Sequence, residues 1–579
     1  RNYSVNRYTK RTHNCGELSK KDEGAYVCVM GWLVYKRMNR FIILRDAYGI
    51  VQAVIDPESP LSKIVKDLHY ESVLQVEGAV LSRGNNVNPM MKTGEVEINV
   101  SKLTVLNHAS SNLPMLPDSK ASEKTRLTYR YIDLRSDRMQ RALRLRSNMV
   151  HKMRRFLIEE AKFVDVETPT LFRRTPGGAA EFIVPAPSPQ RGLCYTLPQS
   201  PQQFKQLLMI GAIDRYFQVS FFYRGLGCKC TRIVDLELSF TTQDDVMALV
   251  EETLMSAWPE HLADLKPPTP FARLNYNEAM RDYGNDKPDM RIPWRIEDCT
   301  QTLGFLRGSN ANNDWVARLI VCKGQLKVNR TAAKKEFKRI LDMNKLSRVD
   351  LQPFAIFDRT KDVWFKKIDK NELITHFLID EEDCVVFSWG DEEGVQWTLA
   401  VEDSFQICAH WIVNFPLFSV EDDKLVATHH PFTAPIEEHK QWLDDSTKIS
   451  NIVGQHYDLV MNGVELGGGS IRIHNSKEQA KVLEILGQDT QEMSHLLDAL
   501  SFGSPPHGGF ALGLDRYIAL LVGEGDPSVP VRDVIAFPKS KDGRDFVSKA
   551  PVRPTDEQLK RYGVQFVEEE EDLKNVLET

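Results

Sequence analysis

The chain has no run of about 18 apolar residues, the length a membrane-crossing helix needs. Cysteine is sparse and scattered: nine residues, an odd number, with no Cys-x-x-Cys pair. That spacing excludes a zinc ribbon. A chain this long does not need disulfides to hold its core, so a reducing compartment is expected. Positive charge is not in excess either. The formal net charge of −6 argues against a protein that grips nucleic acid over its whole surface, while leaving room for local basic patches. The chain shows no internal repeat. Acidic residues are missing from the first stretch, where Arg1, Arg7, Lys10 and Arg11 precede the first acid, Glu17. With Arg1 in first place, residues 1–14 read as the tail of a mitochondrial transit peptide, or as a disordered basic tip.

What is present is ordinary for a water-soluble multidomain protein. Hydrophobic residues make up 42% and charged residues 27% of 579, a length that suggests three or four domains. Residues 25–106 alternate as short strands, near Tyr26–Val34, Arg40–Arg45, Gly49–Ile55, Ser72–Leu81 and Glu95–Val105. Such a run suggests a small barrel of the oligonucleotide-binding type, assigned to residues 15–107. Residues 108–138 read as a hinge. An arginine-rich stretch runs from Arg126 to Arg155, and helical spacing from Met139 to Glu160 sets Leu143, Met149, Met153, Phe156 and Leu157 on the buried side. Its positive face is expected either against phosphates or simply in solvent. Residues 139–292 and 407–543 hold the chemical motifs, and 293–406, of different texture, reads as an inserted α/β domain. Residues 544–579 read as a surface extension.

Three stretches carry chemistry. Leu197–Gln206 places Ser200, Gln202 and Lys205 at a loop-to-helix junction, suited to a zwitterionic or anionic small molecule or, equally, to a capped surface helix. In the second, Asp458 and Glu465 flank Asn462-Gly463, a strong hairpin signal. Two carboxylates across a hairpin offer oxygens to Mg²⁺. The glycines 467–469 then allow close backbone approach, and Arg472 offers a bidentate fork to a carboxylate. A twisted strand pair with one surface arginine is the plain alternative. The third, Gly513-Leu-Asp-Arg516, would set Arg516 at the head of a helix, over a triphosphate.

Together these residues resemble the class II aminoacyl-tRNA synthetases, and within them the aspartyl enzymes of bacterial and mitochondrial type. The resemblance also rests on Arg126–Arg135, Thr175–Ala179, Tyr283–Asp289, His429–Thr433 and Arg532–Lys539. It implies an α+β multidomain fold with an N-terminal OB-type anticodon barrel and an antiparallel-sheet catalytic domain carrying the insertion. ATP would be a substrate and Mg²⁺ a cofactor, with L-aspartate, tRNA(Asp) and a second copy of the chain as partners and neither DNA nor membrane. By resemblance, Arg224 and Arg516 are the catalytic arginines on ATP, with Glu465. Asp458 and Glu465 hold Mg²⁺. Ser200, Gln202, Lys205, Asp235, His429, His430 and Arg472 form the aspartate pocket. Arg37, Phe41 and Gln52 read the anticodon, Phe41 by stacking, although a Phe in a small barrel is more often core. Pro169 lies in the first class signature, at the homodimer interface.

The second class signature departs from the family pattern. After Tyr223-Arg224, Leu226 stands where the family has glutamate, the loop to Asp235 is several residues short, and the phenylalanine expected on adenine is missing. A misjoined coding segment or a weakened relative would each produce this. Gly177, where bacterial members have glutamate, matches the mitochondrial type. Two further readings stay open: a non-catalytic tRNA-binding relative, and a sister ligase for asparagine or lysine. Retention of Lys205, Glu465, Arg472 and Arg516 argues against the first, and the Arg472–Lys205 pair favours an acidic substrate over the second.

Overall fold

The computed structural model describes residues 8–173, 182–190, 192–197, 200–224, 229–292, 294–304, 315–323, 349–354, 370–380, 383–391, 407–421 and 424–565. The chain divides into two units, one of residues 1–146 with 532–552 and one of 147–531 with 553–579.

In the first unit, five strands close into a barrel in the order β1-β2-β3-β5-β4: β1 (Tyr26–Arg37), β2 (Phe41–Asp46), β3 (Gly49–Val54), β4 (Val73–Ser82) and β5 (Val96–Asn107). Alternation drives the closure. Val27, Val29 and Leu33 of β1 point inward with Ile42, Leu44, Val51 and Val76, and none of them is exposed. Gly31 interrupts the β-branched run because a Cβ there would lie 2.5 Å from the carbonyl oxygen of Arg45.

The arginine-rich stretch divides: Arg138, Arg141, Arg144 and Arg155 are exposed, as expected of a solvated face, whereas Arg130 and Arg146 are buried. Arg126 pairs with Asp133 at 3.1 Å and with Asp533 at 2.6 Å, and Arg138 also reaches Asp533. Arg130 is buried and donates to the carbonyls of Ala536, Arg532 and Ile535 at 2.9, 2.7 and 2.7 Å. The helix spans Asp137–Arg155 and widens into a π turn over Phe156–Glu160. Leu143 is only half-buried, while Met139, Ala142 and Arg146 are buried; Arg146 donates to the Val534 carbonyl at 3.0 Å. A buried arginine is tolerated here because it satisfies carbonyls that have no ladder partner.

The second unit is built on an eight-stranded sheet. Its strands are β6 (Val164–Asp165), β9 (Arg215–Arg224), β10 (Lys229–Ser239), β11 (Ala272–Asn275), β16 (Ala409–Val413), β19 (His456–Met461), β20 (Val464–Ile471) and β21 (His507–Gly513), in the order β11-β16-β19-β20-β21-β10-β9-β6. All neighbours are antiparallel except the two edge pairs, β11–β16 and β6–β9. Short pairs β7 (Phe182–Pro185) with β8 (Cys194–Leu197), and β17 (Phe418–Glu421) with β18 (Lys424–Ala427), accompany it. Trp411, Tyr457 and Phe510 pack edge-on in its centre, at 6.0 and 5.6 Å from the Trp411 ring. Within 293–406 a separate sheet forms, β12 (Ile296–Asp298), β13 (Trp315–Cys322), β14 (Val349–Phe354) and β15 (Cys384–Asp391) in the order β12-β13-β15-β14. Leu303, Leu319, Leu373, Phe377 and Phe387 give it a hydrophobic cluster of its own. No helix among the described residues is long and apolar enough to cross a membrane.

Candidate active site

The middle of the large sheet is made unusually thin by glycine. Asn462 and Gly463, at φ 50° and 74°, form the two-residue turn that joins β19 to β20. The register then sets Asp458 opposite Gly468, and Glu465 opposite Val460 two pairs nearer the turn. A Cβ at Gly468 would lie 2.3 Å from Asp458 Oδ1, and one at Gly509 would lie 2.1 Å from Glu237 Oε2. These two glycines leave the room in which two carboxylates lie across neighbouring strands.

Around Glu237 four charges interlock. Lys205, on the helix Gln202–Ile210, reaches Asp235 Oδ1 at 2.8 Å and Glu237 Oε2 at 3.2 Å. Arg472, just past β20, donates through Nε and Nη2 to the two Glu237 oxygens at 3.0 and 3.2 Å. All four side chains are buried. Two cations and two carboxylates cancel, the condition under which ions persist in a low-dielectric interior. Burial alone would raise the Glu237 carboxyl, but Arg472 and then Lys205 overcome this and hold it at about 2. Asp235, with Lys205 as its main counterion, stays above the usual carboxylate range because burial dominates.

The remaining Arg472 nitrogen, Nη1, bonds Ser470 Oγ and His430 Nε2. Burial, then the cations Arg472 and Lys205, push the His430 imidazole well below its ordinary value, so it is neutral and can accept from Arg472. His429 stacks on His456 at 4.2 Å, and His456 Nε2 bonds Asp458 Oδ1 at 2.9 Å. Gln202 is buried with its Nε2 unpartnered among the described residues, and so is Oδ2 of Asp235. Ser200 is exposed, and its Oγ accepts from the Gln202 backbone N–H at 3.2 Å, at the start of that helix. The structure thus brings together Lys205, Asp235, His430 and Arg472.

On the other side of the hairpin the site is open. Arg516, in the first turn of the helix Leu514–Val522, donates to the Glu465 carbonyl at 2.9 Å and lies 3.7 Å from its carboxylate. The side chains of Arg516 and Glu465 are 47% and 31% exposed. Asp458 and Glu465 face different partners. Among the described residues no group of three or more His, Cys, Asp and Glu side chains could hold a metal on its own. Two carboxylates on facing strands nevertheless fit Mg²⁺, which takes one or two protein carboxylates and completes its shell with water and substrate phosphates. Arg224 ends β9, paired with Lys229. Its side chain, like residues 225–228 with Leu226 and Cys228, and Gly177, lies outside the described residues.

On the barrel, Phe41 is absent from the core cluster and half-exposed, with the guanidinium groups of Arg40 and Arg37 at 5.2 and 5.7 Å from its ring. Gln52 opposes Ile43 on the adjoining strand and donates to Glu97 at 2.7 Å. Pro169 lines a cleft of about 520 Å³ with Arg154, Thr168, Gln218 and Phe221, beside the edge strand β6.

A family model described as tRNA synthetases class II (D, K and N) matches residues 122–541, and a model of an OB-fold nucleic acid binding domain matches 27–106. Over 96% of its length the chain is 41% identical to the mitochondrial aspartate--tRNA ligase of Mus musculus, covering 90% of that protein. The chain belongs to the class II tRNA synthetases, in the aspartate--tRNA ligase family. A bacterial relative, the aspartate--tRNA(Asp/Asn) ligase of Opitutus terrae, is 36% identical over 96% of this chain and 99% of that one. Solved structures of the same fold include the asparaginyl-tRNA synthetase of Pyrococcus horikoshii complexed with asparaginyl-adenylate, with TM-score 0.57, 17% identity, and 91% and 98% of the two chains covered. The aspartyl tRNA synthetase of Entamoeba histolytica aligns with TM-score 0.54 at 18% identity, over 90% and 89%.

Sequence reasoning passed over Glu237, His456 and Lys287. Glu237 and Asp235 alternate with apolar residues in Val234-Asp-Leu-Glu-Leu238, the pattern of a half-solvated strand. Two distant cations, Lys205 and Arg472, are what allow these acids to be buried. Only pairing those cations with every nearby acid could have found Glu237.

Proposed function

We propose that this chain joins L-aspartate to tRNA(Asp) in two steps, through an aspartyl-adenylate. The observation that carries the reading is the buried quartet of Lys205, Asp235, Glu237 and Arg472. Glu237 holds one edge of the Arg472 guanidinium and leaves Nη1 turned toward His430 and Ser470, where a ligand carboxylate would be met. The unpartnered Asp235 oxygen and Gln202 amide suit the ligand's ammonium and a second carboxylate. The pocket favours aspartate over asparagine or lysine, because only a carboxylate gives Arg472 Nη1 a charged acceptor in addition to the neutral Ser470 and His430.

The α-carboxylate of aspartate then attacks the α-phosphorus of ATP, pyrophosphate leaves, and the terminal ribose hydroxyl of the tRNA takes the aspartyl group. No protein nucleophile is needed; alignment and charge neutralisation supply the acceleration. Arg224 and Arg516 take the ATP phosphates in this scheme, a role given them by resemblance to the family. Asp458 and Glu465 would hold Mg²⁺, which supplies further neutralisation of phosphate charge. The second-signature loop, short and without its phenylalanine, leaves adenine without a flat partner opposite Arg516, so ATP affinity should be weak in this chain. Phe41 with Arg37 and Gln52 reads the anticodon on the barrel. The Pro169 cleft beside β6, with exposed Phe221, supports a homodimer. Residues 293–406 form the inserted domain. The named relatives, mitochondrial and bacterial, support a place in translation in a mitochondrion or a bacterial cytoplasm.

The test is pyrophosphate exchange with aspartate, asparagine or lysine in turn, followed by aminoacylation of tRNA(Asp). Exchange that depends on aspartate alone supports the reading. Exchange with asparagine at a comparable rate would sink it.

A further inference from the structure

Tyr283–Asp289 has no role in the scheme above, yet it is held against the hairpin that carries Asp458 and Glu465. Asp289 Cβ lies 3.3 Å from where a Gly463 Cβ would stand, and Asp289 accepts from Arg291 Nε at 2.9 Å. Arg291 and Asn462 both donate to the carbonyl of Gly525, at 3.4 and 2.8 Å. The Lys287 N–H donates to Asn285 Oδ1 at 2.6 Å, which fixes the loop before Pro288. The loop is therefore a rigid strap, and Lys287 is the side chain it presents to the site. Its Nζ lies 3.3 Å from Glu465 Oε2 and 3.2 Å from Asp286 Oδ2.

Glu465 Oε2 thus faces two cations, Lys287 and Arg516. A divalent ion arriving alone at Glu465 would be repelled by both at contact range. An ion arriving with a polyphosphate would not, because phosphate oxygens give both side chains new anions. We propose that Lys287 is a nucleotide-site residue that occupies the Glu465 carboxylate as a placeholder cation and passes to a polyphosphate oxygen when metal-bound ATP enters. The proposal rests on the ATP site assigned above. It makes metal binding conditional on the nucleotide, and it gives Lys287 opposite effects on the two ligands.

The experiment uses the full chain and its Lys287→Met and Lys287→Arg variants. Mn²⁺ binding to the nucleotide-free protein is read by electron paramagnetic resonance, and binding of Mg²⁺-ATP and of aspartate by calorimetry. Removing the placeholder should tighten Mn²⁺ alone several-fold and weaken Mg²⁺-ATP about tenfold, as expected for loss of one charge-assisted hydrogen bond. Aspartate affinity should not move, and Lys287→Arg should restore Mg²⁺-ATP affinity in part. Unchanged Mn²⁺ and Mg²⁺-ATP affinities in Lys287→Met would overturn the proposal. So would loss of both together with a lowered melting temperature, which marks Lys287 as a loop staple only. If the original chain binds too little Mg²⁺-ATP to measure, as its short second-signature loop would cause, the Mn²⁺ affinities alone decide: tighter Mn²⁺ binding in Lys287→Met supports the placeholder role and unchanged binding overturns it.

Discussion

The two halves of the site are built on different terms, although they share the hairpin of β19 and β20. The amino-acid half is closed: Lys205, Asp235, Glu237 and Arg472 are buried and paired with one another, with Oδ2 of Asp235 left over. The nucleotide half is open, with Arg516 and Glu465 partly in solvent and their charges only loosely matched. A pocket that must distinguish one small side chain from its isosteres gains from fixed geometry, since misplacement costs discrimination directly. A polyphosphate brings charge enough to organise its own surroundings. On the proposed reading, the first half is fixed by its own ion pairs and the second is completed by its ligand.

That contrast can be broken from either side. The largest effect should come from the second-signature loop of the open half. Giving it full length, with the missing glutamate and phenylalanine, should raise aspartate-dependent exchange by orders of magnitude through the KM for ATP. Aspartate affinity and melting temperature should hardly change. Equal ATP titrations before and after would show that adenine binds elsewhere.

Arg472→Ala attacks the closed half. It leaves Glu237 buried without its main partner, at a cost of roughly 3–5 kcal/mol, so exchange and thermal stability should fall together. Exchange within tenfold of the original chain would mean that Arg472 is not the carboxylate clamp. Glu237→Gln tests the same quartet through pH. The Glu237 carboxyl titrates at about 2 in the folded protein, below its unfolded value, so its stabilisation is complete above about pH 5 and is lost as pH falls toward 2. The shift corresponds to about 3 kcal/mol. The variant should show a flatter decline in unfolding free energy over that interval, and parallel curves for the two proteins would remove Glu237 from the network.

The smallest effect belongs to Phe41, which lies outside the barrel core. Phe41→Ala should weaken tRNA aminoacylation by about 1–3 kcal/mol, the usual worth of one stacked base, and leave adenylate formation and melting temperature alone. If both half-reactions drop, the ring is supporting the barrel.

Much of this organisation was legible in the residues, and the reason is locality. The barrel strands alternate within a few positions of one another, and Asn462-Gly463 announces its turn on its own. What escaped was non-local. Arg130 and Arg146 read as part of a solvated charged face, because the carbonyls they satisfy, from Arg532 to Ala536, lie at the far end of the chain. Glu237 draws no role from the sequence alone for the same reason, since Lys205 and Arg472, the cations that hold it, are distant in sequence. The strap carrying Lys287 was recognisable only as a motif, since its meaning depends on Glu465, which is remote in sequence.

The arginine cluster also bears on how the chain is made. Arg126, Arg130 and Arg138 close on Asp533 and on the carbonyls around it, so the first unit lacks part of itself until residues 532–552 have been synthesised. A nascent chain leaves the ribosome amino end first. Arg126, Arg130 and Arg138 therefore emerge with Asp133 as their nearby acid, and Asp533, 407 residues beyond Arg126, joins them only much later in synthesis. A product that stops short of Asp533 would hold every barrel strand yet lack the carboxylate and carbonyls that complete this arginine cluster.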